Sequence, residues 1–126
     1  MNTPRRPKMF FEEAPRPTGV TFDDGRQNRW NLPWMRFAHA EWDYADPATI
    51  RVEIGDWQVV LTGHNLEPLF AAIERGQLLR VRAHPEFADD PAHDGDVYVT
   101  SIRFVHLDAL ARNRRRGAQL KFPFEE

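Results

Sequence analysis

Between Ile50 and Gly76 the spacing of apolar residues changes once, from every second position to a 3.6-residue period, and this change dictates the order of local structures there. Ile50, Val52 and Ile54 alternate with polar neighbours, Gly55-Asp56 supplies a two-residue turn, and Trp57, Val59 and Leu61 resume the alternation. Closing the turn sets Ile54 opposite Trp57, Val52 opposite Val59 and Ile50 opposite Leu61, with all six side chains on one face of a hairpin. A slip of one residue turns that whole set to the other face, so the register is strongly specified. Leu66, Leu69, Phe70 and Ile73 follow at i, i+3, i+4 and i+7, the apolar stripe of a helix lying on a sheet. Asn65 is the expected N-cap, Glu67 suits the positive end of the helix dipole, and Gly76 is the expected stop.

Flanking segments extend this unit. Val20 to Phe22 reads as a short strand before an Asp23-Asp24-Gly25 turn, and Trp34 to Tyr44 as a longer strand ended by Asp46-Pro47. After Gly76, alternation puts Leu79, Val81 and Ala83 inward and Arg80, Arg82 and His84 outward. Residues 96–105 form another strand, with Tyr98, Ile102 and Phe104 on one side and Val97, Val99, Ser101 and Arg103 on the other. Leu107, Leu110 and Ala111 predict a short C-terminal helix from about Asp108 to Gly117. The expected fold is α+β: one mainly antiparallel sheet of about four to five strands, with one principal helix on one face, built around a β-hairpin–α–β–β core.

A chain of 126 residues suits one domain, placed here at residues 19–117. Pro4, Pro7, Pro15 and Pro17 punctuate residues 1–18 and predict an extended or mobile arm, whose Met9-Phe10-Phe11 docks as an edge segment. Residues 118–126, with the apolar Leu120 to Phe124, form a tail. No apolar run reaches the roughly 18 residues of a membrane span, so no membrane association is expected. The N-terminal residues lack the apolar core of a secretory signal, which predicts a cytoplasmic protein. Cysteine is absent, which excludes disulfides, thiolate chemistry and zinc–thiolate sites. The phrase from Leu61 to Phe70 resembles small bacterial proteins and implies no activity.

The net charge of −2 argues against a whole-molecule footprint for nucleic acid. Of the 17 basic residues all but Lys8 and Lys121 are Arg, the side chain whose planar fork recognises carboxylate and phosphate. One helix covers one sheet face, and the other face then displays Arg51, Glu53, Gln58, Val60, Arg80, Arg82, Val99 and Arg103. Arg51, Arg80, Arg82 and Arg103, with Trp30 and Trp34 if exposed, are the expected partner-binding residues, because Arg and Trp dominate interaction hot spots. The leading reading is a small non-catalytic binding or assembly module whose partner is a protein or a second copy of itself. Nucleic-acid binding through the Arg face is the alternative.

A metal-assisted enzyme is the third reading, resting on the loop from His84 to Asp96, where His93, Asp94 and Asp96 are the first metal candidates. Their spacing matches no EF-hand, and Asp, Pro and Gly are ordinary loop residues. Ser101, the one serine, lies within a strand and lacks a nucleophile elbow. His64 and Asn65, at the strand-to-helix junction, border a possible small anion site. Glycines are too scattered for a phosphate loop or dinucleotide fingerprint, and no cofactor is expected.

Overall fold

A computed structural model describes residues 11–87 and 98–111, which form a mixed α+β domain of two four-stranded sheets. The first contains β1 (Phe11–Glu13), β2 (Gly19–Asp23), β3 (Arg29–Pro33) and β7 (Leu78–Arg82), in the order β1-β7-β2-β3. Its β2–β7 pair is parallel and the others antiparallel. The second contains β4 (Phe37–Trp42), β5 (Thr49–Ile54), β6 (Trp57–His64) and β8 (Tyr98–His106), antiparallel in the order β4-β5-β6-β8. The single sheet expected from sequence is thus two. Trp34–Arg36 form a 3-10 turn that carries the chain from β3 in one sheet to β4 in the other. A bridge from Ala83 to Val99 joins the sheets again beyond the end of β7.

The β5–β6 hairpin has the register read from its alternation, with Ile54, Val52 and Ile50 paired to Trp57, Val59 and Leu61. Five of the six are wholly buried; Trp57 is half-buried. Across the interior, Phe11, Val81, Phe22 and Trp30 form one row of the first sheet. Trp30 stacks on Phe104 of β8, with centroids 4.3 Å apart and planes within 14°. Its edge also meets Trp57 at 4.5 Å. The inner faces of both sheets therefore share one apolar core, and each fully buried Val, Leu, Ile or Phe contributes about 2 kcal/mol by leaving water.

Helix α1 (Glu67–Glu74) adds Leu69, Ala72 and Ile73 to that core, with Leu66 just before it. Its C-terminus closes as expected: Gly76 has φ 64°, its N–H donates to the Ile73 carbonyl, and the Gln77 N–H donates to the Ala72 carbonyl. The N-terminus departs from expectation. Leu66 occupies the cap position, no side chain accepts a hydrogen bond there, and Asn65 lies one residue earlier with φ 55°. Asparagine is among the few non-glycine residues that tolerate this left-handed region, so it turns the chain instead of capping it.

Three β-bulges account for the remaining differences, each by shifting side-chain phase by one residue. In β7 the register slips between the Glu12–Arg80 and Glu13–Leu78 pairs, which buries Leu78 with Val81 and leaves Leu79 exposed. In β8 Thr62 pairs with Ser101 but Gly63 with Val99, so Val99 and Ile102 are both buried and the expected faces of this strand do not hold. In β4 Phe37 pairs with Ile54 and His39 with Glu53, which turns Phe37, Ala40 and Trp42 toward the core and Ala38 outward. Phe11 is buried at the edge of the first sheet; Met9 and Phe10 lie outside the described residues. Of the expected C-terminal helix, residues 107–111 are helical, where the description ends.

Candidate functional site: an arginine-lined cleft

Alternation in β7 that buries Val81 must turn its neighbours Arg80 and Arg82 to the opposite, outer face of the first sheet. The pairing then decides their surroundings. Arg80 shares a row with Glu12, Thr21 and Asn31, and Arg82 one with Asp23 and Arg29. The β2–β3 turn brings Arg26 to the same place. Glu12, Asp23, Arg26, Arg29, Arg80, Arg82 and His84 line an open cleft of about 570 Å³.

The turn is held by its own carboxylates. Asp24 Oδ1 accepts hydrogen bonds from the backbone N–H groups of Arg26, Gln27 and Asn28, at 2.8, 2.8 and 3.0 Å. Asp23 Oδ1 accepts one from Gly25 at 2.8 Å. Gly25 is required here twice over, since its φ is 74° and a β-carbon would lie 2.4 Å from the Ala83 carbonyl oxygen. Slight burial works to raise the pKa of Asp24, but the three backbone donors and the Arg26 charge outweigh it and hold the carboxyl below its ordinary 3.8. A lowered folded-state pKa means that the carboxylate stabilises the turn above 3.8, and that this contribution disappears as pH falls through the folded value. The amide resonances of Arg26, Gln27 and Asn28 are expected to titrate together below pH 3.8. Asp24→Asn should abolish that shared step.

Charge in the cleft is unevenly compensated. Arg29 lies 3.7 Å from Asp23, and His84 Nδ1 lies 3.2 Å from Glu86 Oε2. The Glu86 carboxyl is held below its ordinary range first by its own backbone N–H, against slight burial, and then by His84 and the more distant Arg82. Arg26, Arg80 and Arg82 form no salt bridge among the described residues. Among the described residues, three guanidiniums therefore face one open hollow without an ion-pair partner.

The four arginines expected on one face are divided between two. Arg51 and Arg103 lie on the outer face of the second sheet, flanking Val60 in one cross-strand row that ends at Glu41. Both tryptophans chosen as interface candidates face the interior instead. Trp30 is the aromatic contact between the sheets, and Trp34 donates its indole N–H to the Leu78 carbonyl at 2.9 Å. His64 and Asn65, both exposed, border a separate hollow of about 400 Å³ with Trp42, Pro47 and Glu67. The His64 ring lies 5.8 Å from that of Tyr98. His93, Asp94 and Asp96 lie outside the described residues, and among the described ones no group of three His, Asp or Glu side chains is placed to hold a metal ion.

Arg26 and Arg29 were not foreseen as site residues. The signal was the turn composition Asp23-Asp24-Gly25, which places whatever follows it beside the strand paired with β2. The parallel β2–β7 pairing needed to use that signal is a non-local contact between residues about sixty apart. Comparison with protein-family models, with curated proteins and with solved structures returns no match. Among the described residues no helix is long and apolar enough to cross a membrane.

Proposed function

We propose that the protein is a non-catalytic binding module that holds an acidic segment of a partner protein in the cleft of the first sheet. The observation that carries this reading is the convergence of Arg26, Arg80 and Arg82, without salt-bridge partners among the described residues, on one open hollow. Guanidinium forks donate paired, charge-assisted hydrogen bonds to carboxylates. Nucleic acid is the less fitting occupant. Stacking of unpaired bases needs exposed aromatic faces beside the cations, whereas Trp30 and Trp34 serve the core, and Asp23 and Glu12 interrupt the positive surface.

Fluorescence anisotropy of a labelled Glu/Asp-rich peptide, run beside single-stranded DNA and RNA at low and near-physiological salt, tests the proposal. The peptide is expected to bind, and Arg80→Ala and Arg82→Ala are each expected to weaken it about tenfold or more, the scale of a lost hydrogen bond to a charged group. Arg103→Ala, on the other sheet, should leave the affinity unchanged. Tighter binding of nucleic acid with the same arginine dependence would reassign the cleft, and failure of the peptide to bind at low salt would remove the proposal.

A further inference from the structure

Among the described residues β4 pairs with β5 alone, which leaves its other edge open. Ala38, His39 and Glu41 along it are exposed. Large apolar side chains stand unburied at both ends: Met35, 91% exposed, in the turn that enters β4, and Tyr44, fully exposed, just after it. Charges are arranged with the same polarity. Arg36 stands at the entering end, and Glu41 and Asp43 lie toward the leaving end. Arg36 has only a loose, exposed ion pair with Asp56, at 3.8 Å, of the kind that contributes little.

We infer that β4 is a self-association edge, pairing antiparallel with β4 of a second copy about a two-fold axis at Ala40. Residues paired in an antiparallel ladder share a face, so a two-fold axis must pass through a residue and not between two. Centring on Glu41 opposes two carboxylates, and centring on His39 opposes two imidazoles. Of the strand's two alanines, Ala38 is the extra residue of the bulge, and Ala40 on the axis sets a small side chain against itself and His39 opposite Glu41 of the second copy. The bulge between Phe37 and His39 uses one extra residue, so beyond it the phase advances by one. Arg36 is thereby brought toward Asp43 of the second copy, and Met35 toward its Tyr44. The contact between fixed charges, Arg36 with Asp43, then joins opposite signs. His39, whose Nε2 lies 3.0 Å from Glu53 Oε2 of its own chain, faces the Glu41 carboxylate of the second copy, and each exposed apolar residue meets another, twice over by symmetry. A parallel pairing matches like with like. Edge strands left open in this way recruit further strands unless blocked.

This edge belongs to the second sheet and is independent of the arginine cleft. The test is sedimentation velocity on the full chain from about 1 µM to about 1 mM, the range in which a short edge contact associates. A monomer–dimer equilibrium is expected. Arg36→Glu should raise the dimer dissociation constant about tenfold, and adding Asp43→Arg should restore it to within about threefold, as reciprocal charge pairs do. Met35→Glu with Tyr44→Glu should abolish the dimer, while far-ultraviolet circular dichroism stays native because neither side chain belongs to the core. Arg80→Ala should leave dimerisation unaltered even though it impairs the cleft. A monomer throughout the concentration range, or a dimer indifferent to the charge swap, overturns the inference.

Discussion

Gly63→Ala is expected to destabilise the protein by about 3 kcal/mol or more, in the upper range of overpacking substitutions. Gly63 lies in β6 beside the bulge in β8, where its pairing partner changes from the Ser101 side to Val99. A β-carbon there would stand 2.1 Å from the Tyr98 carbonyl oxygen, 2.8 Å from the Val99 α-carbon and 3.0 Å from the Tyr98 carbonyl carbon. All three are backbone atoms, so no side-chain rotation relieves the clash. The β8 backbone must move, and with it Tyr98 and Val99, both buried. Moving Val99 also disturbs the His84 N–H to Val99 carbonyl hydrogen bond of 2.7 Å and the Ala83–Val99 bridge that joins the sheets. Gly76→Ala is the matched control. Gly76 has φ 64°, but a β-carbon there meets no atom within 4 Å, so the cost reduces to the left-handed backbone conformation, about 1 to 2 kcal/mol. Urea denaturation of the two variants separates steric from conformational cost; equal losses would show that the β8 backbone yields easily at the bulge.

Local patterns were legible and long-range phase was not. The β5–β6 register followed from six apolar positions around one turn, because pairing across a two-residue loop involves no competing partner. The C-terminal cap at Gly76 was likewise local. Bulges break this reasoning. At Leu78 and Leu79 two adjacent leucines were both eligible for the core, and simple alternation through Val81 selected Leu79, whereas the bulge opposite Glu12 and Glu13 buries Leu78. The same slip at Thr100 redistributes Tyr98, Val99 and Ile102. The division into two sheets depends on the 3-10 turn at Trp34–Arg36, inside a segment whose apolar residues also fit one continuous strand. At the candidate site Arg80 and Arg82 were visible as an outward row of a strand. Arg26 and Arg29 became neighbours only through the β2–β7 pairing, and pairing between distant segments leaves no periodic trace in either one.

That division into two layers makes Phe22 the most consequential core side chain to remove. Phe22 is 1% exposed and sits centrally in the first sheet, paired on one side with Trp30 and on the other with Val81. Its ring reaches the opposite sheet, meeting Phe104 edge to face with centroids 6.5 Å apart, a geometry that aromatic quadrupoles favour. Phe22→Ala is expected to cost about 4 kcal/mol, the sum of lost transfer energy and a cavity between two sheets that cannot easily collapse. Both sheets are held at their separation by Trp30, which stacks on Phe104 and meets Trp57. Phe22→Leu keeps most of the volume and should cost about 1.5 kcal/mol. Thermal and urea unfolding followed by tryptophan fluorescence measures both losses. It also reports whether Trp30 keeps its native environment in the leucine variant, as a rigid inter-sheet contact requires. If Phe22→Ala cost no more than Phe22→Leu, the layers would be free to close over the gap, and the inter-sheet stack would not set their spacing.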